Sequence, residues 1–319
     1  MESRHRPVTA TAGAGQQLLG VDLGGTKIEA ALLDVDGRML RRRRVATPGQ
    51  DYRTLLRAVA ALCDGVDPPP ASAPRRLPLG IGTPGSPSPL TGLMRNCNST
   101  LLNGRALRED LTTATGRPVR IANDADCFAL SEAGDGAGAG ARSVLGLILG
   151  TGVGGGLVIE GRLLHGPNAV AGEWGHNRMP LERLPELPRA LRRSRPCYCG
   201  RADCVETWLS GPGLAQTHRD LHGSDLAVAA LHEAAPDEAH GQTIAVYTRL
   251  LAAALAAVVN VVDPEVVVLG GGLSNIAGIR ERLPAALATQ LFSDCLRTAV
   301  RRARHGDSSG VRGAAWLWR

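Results

Sequence analysis

The sequence predicts an α/β protein of two lobes around a cleft, and three observations lead there. An apolar strand, a glycine turn and a returning strand occur at 18–33 and again at 144–159. Self-similarity of this kind marks a duplicated architecture. Short apolar strands alternate with amphipathic helical stretches through both halves, the pattern of sheets covered by helices. The chain of 319 residues is long for one core and comfortable for two.

In the first half, Leu18 to Leu23 is an apolar strand, Gly24-Gly25 a turn and Lys27 to Leu33 the returning strand. Asp36-Gly37 closes a further hairpin. Arg41 to Arg44 follows, a charged run expected on a solvated or edge strand. Leu55, Leu56, Val59 and Leu62 line one side of a helix over 51–62. Asp67 to Pro74 is a Pro/Ala-rich loop. Leu79 to Gly82 is a strand, Leu107 to Leu111 a helix, Val119 to Ala122 a strand ending at Asn123-Asp124, and Ala125 to Ala133 a helix.

In the second half, Val144 to Leu149 is a strand, Gly150 to Gly156 a glycine turn and Leu157 to Ile159 the return. Residues 181–196, rich in Pro, Leu and Arg, read as a surface loop. Leu250 to Val259 is an apolar helix, Val266 to Leu269 a buried strand running into Gly270-Gly271-Gly272, and Pro284 to Leu291 a helix. Gly310 to Trp318 reads as a last helix. Two weakly similar halves around a cleft are what the actin-like ATPase (ribonuclease H-like) fold looks like. The expected organisation is a disordered extension over 1–17, a small lobe over 18–130 and a larger lobe over 131–307. The C-terminal helix, about 308–319, is expected to pack back on the small lobe.

Apolar residues at 44% and charged residues at 21% are ordinary for a soluble globular protein. The net charge of +6 attracts anions in general. The basic residues form no long tail, and no nucleic-acid partner is expected. No run reaches the roughly 18 apolar residues of a membrane span, and the first 16 residues lack the apolar core of a secretory signal. A cytoplasmic protein without a membrane partner is the expectation. Three of the seven cysteines fall at 197, 199 and 204, a cluster that suggests metal before disulfides.

Asp22-Leu23-Gly24-Gly25-Thr26-Lys27 places a carboxylate at a strand end beside two glycines, a hydroxyl and a cation. Glycines let backbone N–H groups approach phosphate oxygens, and Asp22 would face phosphate through Mg²⁺ or an ordered water. A plain hairpin turn has the same residues. Gly150-Thr151-Gly152 is the matching loop of the second half, so the two together can hold one nucleotide between the lobes. Gly271 and Gly272 follow a buried strand and either pass close to an adenosine ring or turn into a helix. A Walker A motif is absent, and the β-rich segment after each glycine turn fits a Rossmann fingerprint poorly. Asp124, where a strand gives way to a helix, is either a helix N-cap or the base that takes a hydroxyl proton in phosphoryl transfer. His176 with Cys197, Cys199 and Cys204 makes a Cys₃His set suited to a structural Zn²⁺.

Taken together, these motifs resemble the ROK family of repressors and sugar kinases. The resemblance runs from about Leu18 to the C-terminus and rests on five pieces. They are 22–27, Asn123-Asp124, 150–154, Glu173-x-x-His176 and Cys197-x-Cys199-Gly200-x-x-x-Cys204-x-Glu206. Within the family, Asn96 to Gly104, the loop before Cys197 and His305 to Trp316 look like bacterial fructokinases (mannofructokinases). Family kinases commonly carry Gly where this chain has Asp203.

The resemblance implies an ATP-dependent hexose kinase that phosphorylates D-fructose, with mannose as a further substrate. Glucokinase and N-acetylglucosamine kinase are the alternatives. It implies Asp124 as general base, and Asn98, Asn123, Glu173, His176 and Glu206 as ligands of the sugar hydroxyls, with His176 able to touch both zinc and sugar. It places Asp22, Gly24, Gly25, Thr26, Lys27, Gly150, Thr151 and Gly152 on the ATP phosphates with Mg²⁺, and Gly271 and Gly272 near adenosine. A homodimer is implied in the same way. A sugar-responsive repressor would need a DNA-binding domain ahead of Leu18, where this sequence has 17 residues. A non-catalytic sugar-binding protein is at odds with the intact Asp124 and phosphate loops.

Overall fold

A computed structural model describes residues 16–49, 51–68, 76–228 and 237–319. The first half runs β1 (Gln17–Leu23), β2 (Lys27–Asp34), β3 (Met39–Ala46), α1 (Tyr52–Val66), β4 (Leu79–Thr83), a short ribbon of β5 (Ser86–Pro87) and β6 (Met94–Arg95), α2 (Leu107–Thr115), β7 (Val119–Asn123) and α3 (Asp124–Gly134). The second half runs β8 (Ser143–Leu149), β9 (Val153–Ile159), β10 (Arg162–Leu163), α4 (Glu206–Leu209), α5 (Gly211–His222), α6 (Glu238–Val262), β11 (Val266–Gly270), α7 (Ile279–Ala288), β12 (Ala299–Arg302) and α8 (Ser309–Trp316).

Two five-stranded sheets result, in the orders β3-β2-β1-β4-β7 and β10-β9-β8-β11-β12. In each, the first three strands in sequence are antiparallel and the last two add in parallel. The duplication read from the sequence is therefore a duplication of sheet topology, as the actin-like fold requires.

Local chemistry explains the elements. Asp51 caps α1 by accepting from the Arg53 and Thr54 N–H groups, and Tyr52, Leu55, Val59, Leu62, Cys63 and Val66 form its buried stripe. The arginine run lies on β3, an edge strand as expected, but it is more than solvated. Arg42 and Arg44 reach back to the buried Glu29 of β2, at 2.6 and 2.7 Å. An unpaired carboxylate there would be costly.

Helix α8 packs on β1, β2 and β4, and against α3. A Cβ at Gly80 would overlap the Ala314 carbonyl, so glycine in β4 is what lets α8 lie so close. Helix α3 in turn packs on β8 and β9. Its buried Glu132 accepts from the backbone N–H groups of Ala137, Arg304 and His305 and from Ser309 Oγ, at 2.9–3.1 Å, tying α3 to the entry of α8.

The structure corrects several expectations. β1 begins at Gln17, inside the extension expected over 1–17, and the boundary expected at 130 falls within α3. Residues 1–15 and most of the loop 67–74 lie outside the described residues. The second glycine turn is only Gly150 to Gly152. Gly154, Gly155 and Gly156 belong to β9, where a Cβ at Gly156 would crowd the Ala125 carbonyl of α3 at 2.7 Å. The segment 181–196 is no mere surface loop, since Leu184, Leu187 and Leu191 are buried in the second core. The helix expected over 284–291 starts earlier, at Ile279, and carries Pro284 inside it.

One helix, α6, is long and apolar enough to cross a membrane by length and composition, contrary to expectation. Its apolar side chains are spent on the core instead. Tyr247, Leu250, Leu251 and Leu255 are wholly buried, and each leucine burial is worth about 1.5–3 kcal/mol.

Candidate active site

The end of β7 sets the centre of the site. Asn123 caps α3, its Oδ1 accepting from the Ala125 N–H at 2.8 Å. Asp124 Oδ1 accepts from the same N–H at 2.8 Å, and Oδ2 has no hydrogen-bond partner among the described residues. Asn123 thus stands at the N-cap of α3, while Asp124, also bonded to the Ala125 N–H, has its second oxygen open to the pocket. Asp124 is open to solvent in the pocket it lines, but the protein packed around it strips much of its hydration. Burial, followed by the neighbouring Glu173, pushes its carboxyl up to about 6.

A pocket of about 270 Å³ gathers Asn98, Asn123, Asp124, Gly150, Thr151, Gly152, Glu173, His176 and Glu206. Every sugar residue expected from the sequence is there, along with the second glycine loop. That loop is anchored twice. Glu206 Oε2 accepts from the Val153 N–H at 2.9 Å, and the Gly150 carbonyl accepts from the Gly211 N–H at 2.7 Å. Trp174 Nε1 donates to the Gly154 carbonyl at 3.0 Å and so holds the Glu173–His176 turn against β9.

The first glycine loop lies outside this pocket. The Gly24 N–H donates to the Lys27 carbonyl at 3.0 Å, a hairpin turn, and Thr47, just past β3, holds it by donating to the Thr26 and Gly24 carbonyls. Lys27 Nζ sits 3.4 Å from Asp307 Oδ2, just ahead of α8. Asp22 is an electrostatic neighbour of Asp124. Burial first, then Asp124 and Glu29, push Asp22 up to about 6. A cation beside Asp22 would reverse that shift, which is the donor chemistry Mg²⁺ needs.

Gly271 and Gly272 also lie outside the pocket, at the end of β11. Gly271 is at φ +79° and a Cβ there would overlap the Leu149 carbonyl, so packing alone demands this glycine. At Gly25, Gly150 and Gly272 the opposite holds. A Cβ would meet nothing within 4 Å and φ is not positive. Packing within the chain gives no reason for glycine at these three positions, whereas a phosphate or a nucleoside lying against the backbone would.

His176, Cys197, Cys199 and Cys204 have their ligand atoms within 4.8 Å of one another. Cys197 Sγ is 3.7 Å from His176 Nδ1, and Cys199 Sγ is 3.6 Å from Cys204 Sγ. A tetrahedral zinc with bonds of about 2.3 Å separates its sulfur ligands by roughly 3.8 Å, so this set fits Zn²⁺. Asp203 stands at φ +57°, an angle that favours Gly. Its side chain compensates by accepting from the Arg195 N–H at 2.8 Å and Ser194 Oγ at 2.9 Å. Arg195 is buried on Trp208 and paired with Asp220 at 2.9 Å, a firm base for the cysteine turn.

Two residues escaped the sequence reading. Tyr198, inside the Cys-x-Cys turn, lines the pocket, and its hydroxyl is 2.9 Å from His176 Nε2. Asp126 borders a side cavity of about 170 Å³ with Leu164, Gly166, Ala169 and Ala171, which shares Ser86, Asn123, Gly155 and Glu173 with the main pocket. Burial, Glu173 and Asp124 push Asp126 up to about 7, and its Oδ1 is buried without a partner. The Asp-x-Asp spacing at the start of α3 was its only signal in the sequence.

Residues 18–319 match the ROK family. Curated relatives include the N-acetyl-D-glucosamine kinases of Erwinia tasmaniensis, 40% identical, and Salmonella typhimurium, 39% identical, the matches covering 93% of this chain and 98% of each relative. Among solved structures, a ROK hexokinase from Thermus thermophilus superposes with a TM-score of 0.79 at 32% identity, over 95% of this chain and 99% of that one. A ROK family glucokinase from Streptomyces griseus, in complex with glucose and AMPPNP, superposes with a TM-score of 0.73 at 28% identity, with the same coverage. With its duplicated sheets, its pocket at Asp124 and these relatives, the chain belongs to the ROK family and groups with the family's sugar kinases.

Proposed function

We propose that this chain is an ATP-dependent N-acetyl-D-glucosamine kinase, moving the terminal phosphoryl group of ATP to the 6-hydroxyl of the sugar. The observation that carries the reading is the near full-length match, at 39–40% identity, to relatives of that name. They favour N-acetylglucosamine over the fructose expected from the sequence. The side cavity supports the same choice, since it offers an acetamido group a small recess with apolar walls at Leu164, Ala169 and Ala171 and polar partners at Asn123, Asp126 and Glu173.

In this proposal Asp124, ionised above about pH 6, accepts the sugar hydroxyl proton as the new oxygen–phosphorus bond forms. Asn98, Asn123, Glu173, His176 and Glu206 orient the sugar, and the two glycine loops with Asp22 and Lys27 hold the nucleotide. Bound Mg²⁺ supplies charge neutralisation at the phosphates. Zinc held by the three cysteines and His176 Nδ1 would leave the proton on Nε2, making His176 a donor toward Tyr198 or the sugar. The cytoplasmic location and the homodimer belong to the proposal as well.

A second reading, glucose as the preferred acceptor, draws on the hexokinase and glucokinase structures. The test is ADP release from Mg-ATP by zinc-replete protein with N-acetylglucosamine, glucose, mannose and fructose. N-acetylglucosamine should give the highest kcat/KM. Ala171→Leu should lower that value about tenfold, the worth of one well-placed apolar contact, and leave glucose nearly unchanged. A preference for fructose would overturn the proposal.

A further inference from the structure

A second cavity, of about 440 Å³, shares no residue with the main pocket at Asp124 and meets the side cavity only at Pro87, Ile121 and His165. It opens where edge strand β7 of the first sheet and edge strand β10 of the second reach one rim. Arg120 comes from β7, Arg162 from β10, Arg108 from α2 and Arg319 from beyond α8. His165 joins them, and no Asp or Glu lines the cavity.

Four guanidinium groups around one cavity repel one another unless an anion sits among them. Of the acids next to them in sequence, Glu109 pairs with Arg108, at 2.7 Å, and Glu160 is taken by Arg142, at 2.8 Å, which leaves Arg120, Arg162 and Arg319 without a carboxylate side-chain partner among the described residues. Arg120 is already positioned, donating through Nη1 to the Leu317 carbonyl at 2.6 Å and lying 4.0 Å over the Trp318 ring. The Arg162 side chain makes no hydrogen bond or ion pair among the described residues. Beneath the arginines, Leu130 of α3 and Trp316 of α8 give an apolar floor.

Guanidinium forks match phosphate oxygens in geometry and charge, and the apolar floor suits the body of a small ester. We propose that this cavity is a second binding site, outside the main pocket at Asp124, for a small phosphate monoester. Its occupant would bridge β7, which ends at Asn123, and β10 of the other sheet. It would therefore tie together the two sheets whose relative position shapes the cleft.

Isothermal titration calorimetry with inorganic phosphate and with N-acetylglucosamine 6-phosphate tests this, at constant ionic strength with chloride as the reference anion. Phosphate should bind at one site per chain. The sugar phosphate should bind at that site and at the active site, and the unphosphorylated sugar should displace it only from the latter. Arg162→Glu should weaken the phosphate event about tenfold or more. Arg162→Gln should weaken it less, and kcat with the best sugar should be unchanged in both. The phosphate event does not depend on which sugar the enzyme takes, so it stands or falls separately from the proposed activity. Phosphate binding unaltered in Arg162→Glu, or matched by chloride, would reduce the cavity to a counterion patch.

Discussion

Strands β1 and β8 invite direct comparison. Each has seven residues, QLLGVDL and SVLGLIL, with the same succession of buried and half-buried positions. Each has glycine at the fourth position for a close helix. Gly20 of β1 faces α8, and Gly146 of β8 faces α3. Each pairs antiparallel with the strand after its glycine turn. The sixth position differs. It is Asp22 in one strand and Ile148 in the other. The duplication preserved packing and let charge diverge. One loop presents a carboxylate and a lysine, while the other presents neutral backbone anchored by Glu206. In the proposed enzyme both loops face the nucleotide, and that asymmetry would leave the cation to the Asp22 side alone.

The largest expected effect lies at Asp124. Asp124→Asn should lower kcat by about 10²–10⁴-fold, the range for loss of a general base, while calorimetry still detects sugar binding. Asp22→Asn should come next, lowering kcat/KM for Mg-ATP about tenfold or more and leaving the KM for sugar nearly unchanged. Replacing Ile148 by Val in the sister strand should leave both constants near wild type, because that position carries packing and not charge.

A smaller effect is expected at the cysteine turn. Cys204→Ser should abolish stoichiometric zinc in elemental analysis and lower Tm, with the sugar KM rising as the Glu173 and Glu206 segments loosen. The smallest belongs to Tyr198→Phe. Removing the hydroxyl from His176 Nε2 should shift the sugar KM a few-fold, with kcat and zinc content held.

Much of the fold was legible because its signals are local. Apolar runs ending in glycine marked β1, β8 and β11, and the Asn123-Asp124 pair marked a strand-to-helix junction that became the centre of the pocket. What stayed hidden depends on tertiary neighbours. Gly154 to Gly156 look like a turn in sequence, and only the proximity of α3 makes them strand. The leucines of 181–196 look like loop residues until the second core is seen around them. Tyr198 and Asp126 carry no motif, and their positions become meaningful only beside His176 and the side cavity. Substrate choice was the least legible of all. Fructose, mannose and glucose differ by the placement of one or two oxygens and N-acetylglucosamine adds an acetamido group, and the motif residues do not encode which is taken.

The central claim is that Asp124 works as a base with its proton affinity raised by burial, and the pH dependence of kcat/KM for the sugar tests it most directly. The sign follows from the shift. A carboxyl raised from 3.8 to about 6 is protonated and inert at pH 5, and ionised and competent at pH 7. The same shift works against stability, since the unfolded carboxyl ionises more readily. Between about pH 4 and 6, its contribution to stability therefore falls as pH rises, opposite to activity. The account predicts kcat/KM falling close to tenfold per unit below an apparent pKa near 6, with that limb lost in the residual activity of Asp124→Asn. A flat profile from pH 5 to 8, or the same limb in Asp124→Asn, would contradict it.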